Sequence, residues 1–160
     1  DGAAAAVFAA PGARPGGLAD LAATGSSVAP GSLDQMSWRI GDTGFEMTLD
    51  RRVPDTIRAH APGFVDGFLA QEGLARSEVK RWAPHPGGRR IVSALAEALA
   101  LEEEATASAR AVLAEHGNMS SATIFFVLER ERARGGAGPL VALGFGPGLT
   151  MEAALFYTPR

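Results

Sequence analysis

A strand that runs directly into a histidine, a glycine turn and a helix is the feature that most constrains the fold of this chain. The strand is predicted over residues 80–84, and the segment His85-Pro86-Gly87-Gly88 ends it. Residues 89–101 then carry an apolar face at helical spacing, formed by Ile91, Val92, Leu95 and Leu99. A strand followed by a packed helix is the building unit of α/β folds. His85 is therefore expected at the carboxyl end of a strand, where open sheets of this class collect their functional groups.

Patterns elsewhere extend this unit to an α/β domain with one mixed β-sheet flanked by helices. Alternating polar and apolar residues predict a β-hairpin over residues 37–40 and 45–49. Further strands are predicted over residues 3–10, 18–28, 140–144 and 149–157. Helices are predicted over residues 54–61, 102–116 and 119–134. A break at Pro62-Gly63 separates the first of these from a further helical piece that ends near Gly73.

Composition excludes several classes of function. A chain of 160 residues that is 46% hydrophobic is long enough for one domain, residues 1–160, with a packed core. A net charge of −3 with scattered basic residues argues against nucleic-acid binding. The absence of cysteine excludes disulfides and thiolate metal sites, and three dispersed histidines argue against a metal cluster. Because no apolar run reaches transmembrane length and no signal peptide is evident, we expect no membrane contact and a cytoplasmic location.

His85 and Asn118 are the candidate catalytic residues. An imidazole nitrogen and a side-chain amide can both donate hydrogen bonds to one substrate oxygen, which is the arrangement of an oxyanion hole. Each residue also has a structural explanation. A histidine at a strand end can serve as a buried hydrogen-bonding group, and Asn118 can cap the helix that begins after Gly117. Spacing alone leaves both explanations open.

Three segments resemble signatures of the chalcone/stilbene synthases, the type III polyketide synthases. They occur in the family's order and are His85-Pro86-Gly87-Gly88, Gly117-Asn118-Met119-Ser120-Ser121-Ala122 and Gly144-Phe145-Gly146-Pro147-Gly148-Leu149-Thr150. The resemblance starts at Asp1-Gly2-Ala3 and covers essentially the whole chain, but it matches only the C-terminal half of such proteins. The half that carries the family's nucleophilic cysteine is not in this chain.

This resemblance implies the C-terminal half of a thiolase-like fold and an acyltransferase activity in a longer protein. The activity would be decarboxylative condensation of malonyl-CoA onto a cysteine-bound acyl starter, with His85 and Asn118 completing a Cys-His-Asn set. Acyl-CoA and malonyl-CoA would be the substrates, and no cofactor is implied. The implied partners are the missing N-terminal half and a second copy in a homodimer. The chain alone is expected to be inactive because it has no nucleophile.

The resemblance also implies which residues line the substrate pocket. The hairpin would contribute Trp38, Phe45 and Met47, and Ser120 would lie beside the catalytic pair. The glycine loop would supply the remaining wall, formed by Gly144, Phe145, Gly146, Pro147 and Gly148. Met47 stands where plant members usually carry phenylalanine, and Trp38 where many carry glycine, so a short cavity is expected. Trp38 could instead pack into the core under the hairpin.

Arg89 and Arg90 lie in the first turn of a predicted helix, where the helix dipole disfavours positive charge. They are either solvated surface charge or a contact to a phosphate of coenzyme A. Two alternatives to the polyketide synthase assignment stay open. One is a ketoacyl synthase III-like condensing enzyme, which uses a similar Cys-His-Asn set. The other is a binding or structural module without catalysis of its own.

Overall fold

A computed structural model describes residues 1–10 and 19–158 of the chain. The described residues form six strands, which are β1 (Asp20–Val28), β2 (Met36–Gly41), β3 (Gly44–Leu49), β4 (Arg81–Pro84), β5 (Gly138–Gly146) and β6 (Thr150–Thr158). They also form four α-helices, which are α1 (Val53–Gln71), α2 (Arg89–Leu99), α3 (Ala107–His116) and α4 (Thr123–Arg134). Three short 3₁₀ turns cover Arg76–Glu78, Glu103–Thr106 and Ser120–Ala122.

Four of the strands make one mixed sheet in the order β1-β6-β5-β4. Strands β4 and β5 run parallel, whereas β5 with β6 and β6 with β1 are antiparallel. Strands β2 and β3 form a separate two-stranded hairpin. The parallel pairing matters for function, because it brings the carboxyl ends of β4 and β5 to the same edge of the sheet.

Helices cover both faces of this sheet. On one face, apolar residues of α1 and α2 pack against side chains of the sheet that include Trp82, Val141 and Leu143. On the other face, residues of α3 and α4, among them Val112 and Val127, pack against Ala83, Leu140 and Ala142. Alternate residues of β4 and β5 therefore point to opposite helical layers, as the pleat of a strand requires. The prediction of an α/β fold with a mixed sheet between helices is confirmed.

The prediction of a strand over residues 3–10 is wrong for this chain. All ten residues of the first segment are exposed and none lies in a strand, and Val7 and Phe8 are 87% and 69% exposed. A strand exists only where a neighbouring backbone supplies hydrogen-bond partners, and none of the described residues does so for this segment. The backbone of Gly2 lies close to the Met119 side chain, because a Cβ added at Gly2 would clash with the Met119 sulfur.

The predicted break at Pro62-Gly63 is also wrong, because α1 is one continuous helix with Pro62 inside it. A proline in a helix interior costs about 3 kcal/mol. Buried side chains on both sides of Pro62 oppose that cost, with Ile57 and Ala61 before it and Val65 and Leu69 after it. Each large apolar side chain contributes roughly 1.5–3 kcal/mol when it is fully buried, so packing outweighs the local preference.

Neither a membrane-spanning helix nor a cluster of metal-ligating side chains is found in the described ranges. Within residues 19–158, no helix combines the length and the apolar composition needed to cross a bilayer. The same part of the chain brings no three histidine, aspartate or glutamate side chains together in a way that could hold a metal ion.

Candidate active site

His85 lies at the carboxyl end of β4, as the sequence pattern predicts. The pairing of Pro84 with Leu143 holds the strand end against β5, and the His85 N–H donates to the Leu143 carbonyl oxygen at 2.7 Å. The Gly87 N–H donates back to the His85 carbonyl oxygen at 3.0 Å, which closes a turn before α2 begins. The imidazole is half-buried, and this burial lowers the pKa of His85 below that of an exposed histidine. Desolvation of the ring by burial is the cause of this lower pKa.

Asn118 reaches the turn that follows His85. Helix α3 ends at His116, and Gly117 takes a positive φ of 72°, which turns the chain toward the sheet edge. The Asn118 Nδ2 then donates to the Gly87 carbonyl oxygen at 3.2 Å. This one hydrogen bond joins residues that are 31 positions apart and brings the amide beside the histidine turn. An Nδ2 group has two N–H donors, so the second remains for another acceptor.

The predicted capping role of Asn118 needs a correction. Its Oδ1 accepts from the Ser120 N–H at 2.9 Å, a local turn of the kind that asparagine favours. The helix that was predicted from residue 119 begins only at Thr123, after a 3₁₀ turn over Ser120–Ala122. Ser120 has a positive φ of 59°, which is incompatible with a continuous right-handed helix. Ser120 itself is exposed and stays next to Asn118.

The glycine segment Gly144–Gly148 begins next to His85, because Gly144 directly follows the residue that binds the His85 backbone. Strand β5 extends to Gly146, two residues beyond its predicted end, and a tight turn at Pro147 and Gly148 leads into β6. Gly148 has a φ of +125° and an added Cβ would lie 3.3 Å from the Thr150 backbone nitrogen. Only glycine fits such a position without strain.

Ser32 anchors this glycine turn, although no local sequence pattern predicts that role. The side chain is fully buried, its Oγ lies 2.7 Å from the Ala29 carbonyl oxygen and 3.0 Å from that of Gly148, and it accepts from the Leu149 N–H at 2.9 Å. The Gly148 N–H also donates to the Met36 carbonyl oxygen at 3.0 Å. The base of the hairpin is thus tied to the glycine turn. A serine after Pro30-Gly31 is common in turns, so the sequence carries no signal for this long-range bond.

The hairpin presents all its large apolar side chains on one face. Trp38 pairs with Met47 and Ile40 pairs with Phe45 across the two strands. The rings of Trp38 and Phe45 meet edge to face with centroids 6.2 Å apart. Trp38, Phe45 and Met47 are 54%, 72% and 55% exposed, so Trp38 is not part of the core of this chain. The base of the hairpin is linked to the glycine turn by the bond from the Gly148 N–H to the Met36 carbonyl oxygen.

Arg89 and Arg90 begin α2 directly after the histidine turn, and both are exposed. Arg89 lines a cavity of about 550 Å³ between α2 and α3, together with Gly88, Val92, Arg110, Leu113 and Ala114. The Arg110 Nε is held by the Thr106 Oγ1 at 3.0 Å. Two arginines therefore line this cavity among small and apolar residues, and Gly88, which follows the turn after His85, also lines it.

Because burial lowers the pKa of His85, the unfolded chain binds a proton more readily than the folded chain in mildly acidic solution. We expect the free energy of unfolding to fall between about pH 7.5 and about pH 5, and the His85→Gln variant to lose part of this dependence. Urea unfolding of the wild-type chain and of the His85→Gln variant at several pH values measures this pH dependence. An identical pH dependence in the two proteins would contradict the desolvation of this ring.

The chain is similar to known proteins over most of its length. The family model for the C-terminal domain of chalcone and stilbene synthases matches residues 20–158. A 1,3,6,8-tetrahydroxynaphthalene synthase from Streptomyces peucetius subsp. caesius is 38% identical over 147 residues, which cover 90% of this chain and 39% of that protein. A 3,5-dihydroxyphenylacetyl-CoA synthase from Streptomyces toyocaensis is 33% identical, with 89% of this chain and 40% of that protein covered.

Solved structures agree with this assignment. PKS-I from the brown alga Ectocarpus siliculosus superimposes with a TM-score of 0.85 at 34% identity, over 94% of this chain and 42% of that one. The 1,3,6,8-tetrahydroxynaphthalene synthase of Streptomyces coelicolor A3(2), a bacterial type III polyketide synthase, gives a TM-score of 0.84 at 32% identity, over 92% of this chain and 43% of that one. The chain spans about two fifths of the length of these relatives. The family model matches most of the chain, and the fold is thiolase-like. The chain therefore belongs to the chalcone and stilbene synthase family and corresponds to the C-terminal domain of that family.

Proposed function

We propose that this chain is the C-terminal catalytic half of a type III polyketide synthase, an acyltransferase that condenses malonyl-CoA with a cysteine-bound acyl starter. The observation that carries the proposal is the hydrogen bond from the Asn118 Nδ2 to the Gly87 carbonyl oxygen, which holds a side-chain amide beside the strand-end histidine. Family membership supports the reaction class, and the longer relatives support a nucleophile supplied by another part of the protein.

The proposed chemistry uses His85 and Asn118 as two donors to one oxygen. Both N–H groups would bind the thioester oxygen of the malonyl unit. When the carbon–carbon bond to the carboxylate breaks, carbon dioxide leaves and the electron pair of that bond forms an enolate on the thioester. The enolate carbon then attacks the acyl carbonyl, and the bond to the cysteine sulfur breaks so that a thiolate leaves. Each donor aimed at the developing negative charge lowers the barrier by about 3 kcal/mol.

The protonation state of His85 depends on its partner in this proposal. Burial alone lowers the pKa of His85 and favours the neutral ring. A thiolate placed near the imidazole would favour the charged ring, because an opposite charge within a few ångströms offsets desolvation. We therefore propose that the cysteine of the missing half and His85 form a thiolate–imidazolium pair, in which each charge supports the other.

Binding of coenzyme A would use the surface next to this site. Arg89 and Arg90 lie within five residues of His85, and Arg89 shares its cavity with Arg110. Guanidinium groups bind phosphate oxygens in a planar, two-pronged geometry, so we propose that these arginines contact a phosphate of the CoA thioesters. Trp38, Phe45, Met47, Ser120 and residues 144–148 are the proposed walls of the acyl pocket. The missing half, and a second copy in a homodimer, are the proposed protein partners.

The test compares a longer protein that contains this chain with the chain alone. We expect the longer protein to release carbon dioxide from malonyl-CoA and to form a polyketide product. The 160-residue chain should do neither, because it has no cysteine, and its exposed hairpin face should bind a hydrophobic dye. Turnover by the chain alone would refute the proposal that another part of the protein supplies the nucleophile. A longer protein that binds CoA thioesters without turnover would favour a binding module instead.

A further inference from the structure

We infer that Thr123 is a positioning residue whose hydroxyl sets the orientation of the Asn118 amide. Thr123 is the first residue of α4 and is fully buried, although it lies directly below the exposed loop that carries Asn118. Its Oγ1 accepts from the Met119 N–H at 2.7 Å. A hydroxyl that accepts one bond keeps its own hydrogen for a second partner, and here that partner is the Asn118 Oδ1 at 3.4 Å.

These contacts distinguish the two ends of the amide. The Asn118 Oδ1 faces two donors, the Ser120 N–H at 2.9 Å and the Thr123 hydroxyl. The Nδ2 faces an acceptor, the Gly87 carbonyl oxygen, at 3.2 Å. A rotation of the amide by 180° would set the Nδ2 against the Ser120 N–H and the Oδ1 against the Gly87 carbonyl oxygen, so both of these contacts would be lost, and the Thr123 hydroxyl would no longer donate to the Oδ1. The donor end of Asn118 is thereby aimed at the turn that follows His85.

Thr123 is the side chain of this set that mutation can change without altering the amide itself. The Ser120 donor is a backbone group, and the Gly87 acceptor is one as well. Thr123 contacts two adjacent residues of the loop, because its hydroxyl accepts from the Met119 backbone and donates to the Asn118 side chain. Removal of its hydroxyl should therefore leave Asn118 freer to rotate and the second Nδ2 hydrogen less well aimed.

The consequence for catalysis rests on the proposed function, and a matched pair of variants tests it in the longer protein. Thr123→Val keeps the branched shape but has no hydroxyl, whereas Thr123→Ser keeps the hydroxyl. We expect Thr123→Val to lower kcat for malonyl-CoA decarboxylation about tenfold with little change in KM, a fraction of the roughly hundredfold effect of losing one oxyanion donor. Thr123→Ser should stay near wild type. If the valine variant does not fold, Thr123→Ala serves in its place.

The orientation of Asn118 is measured separately by nuclear magnetic resonance. Asn118 is the only asparagine of the 160 residues, and its Nδ2 signal is assigned by comparison with the Asn118→Asp variant. We expect Thr123→Val to bring the two Nδ2 protons into faster exchange with water, and Thr123→Ser to leave them unchanged. An unchanged signal in the valine variant would overturn the inference.

The outcomes separate this inference from the proposed function. Equal losses of kcat in the valine and serine variants would mean that only side-chain packing matters, and the inference would then be wrong. A wild-type protein that fails to release carbon dioxide would overturn the proposed function, while the Nδ2 signal would still decide whether Thr123 orients the amide. Full activity together with an unchanged signal in Thr123→Val would reject the inference and leave the proposed function standing.

Discussion

Replacement of Asn118 by aspartate in the longer protein is expected to slow the decarboxylation of malonyl-CoA by about a hundredfold or more, the effect of losing one oxyanion donor. The change turns the Nδ2 donor into an oxygen, which would face the Gly87 carbonyl oxygen at the distance now spanned by a hydrogen bond. It also puts a negative charge beside an oxygen on which negative charge develops. Loading of the cysteine should suffer much less, since no enolate forms in that step.

The structure allows this prediction to be separated from a loss of folding. Aspartate retains an oxygen for the Ser120 N–H, so the turn that precedes α4 should persist. Assays of carbon dioxide release and of acyl transfer to the cysteine measure the two steps, and thermal unfolding measures stability. Ser121→Ala, an exposed neighbour, is the matched control and should behave as wild type. A large drop in melting temperature with equal losses in both steps would assign Asn118 a purely structural role.

Replacement of Trp38 by glycine is expected to lengthen the products of the longer protein or to admit bulkier starters. An indole on the exposed hairpin face fills volume that a growing chain would need if this face lines the acyl pocket. The change should cost little stability in comparison with the 3–5 kcal/mol of a buried tryptophan. The loss of its edge-to-face contact with Phe45 accounts for about 0.5–1.5 kcal/mol. Product profiles by mass spectrometry measure the effect.

Arg39→Gly is the matched control for this experiment. Arg39 is the next residue of β2 and points to the opposite, polar face, so it reports the cost of a glycine in the strand without opening the apolar face. Its products should match those of the wild type. An unchanged product profile in Trp38→Gly, or the same change in both variants, would contradict the assignment of Trp38 to the pocket wall.

Local sequence patterns were sufficient for much of the architecture. The strand-turn-helix unit around His85 was predicted correctly because a short apolar run, a Pro-Gly-Gly turn and an amphipathic helix each act within a few residues. The hairpin over residues 37–49 was predicted for the same reason, since alternation and its turn are both local. The apolar face of α2 was also predicted, and its residues Ile91, Val92, Leu95 and Leu99 are buried.

Predictions that needed knowledge of distant neighbours failed. Residues 3–10 have the composition of a buried strand, but a strand depends on a second backbone, and residues 19–158 place none beside them. Pro62 stays within α1 because the core packs on both sides of it. Helix α4 begins at Thr123 rather than at the predicted residue 119, because the loop around Asn118 is shaped by hydrogen bonds to the histidine turn and to Thr123 itself.

The sequence by itself determined the fold class, the identity of His85 and Asn118 as the candidate catalytic pair, and the family to which their motifs belong. Tertiary structure alone decided which groups far apart in the sequence are joined by hydrogen bonds. The hydrogen bond from Asn118 to Gly87 spans 31 residues, and the bond from the Leu149 N–H to Ser32 spans 117. Such contacts form only when the sheet and the helices have packed, because the energy that closes the long loops between them comes from burial across the whole core.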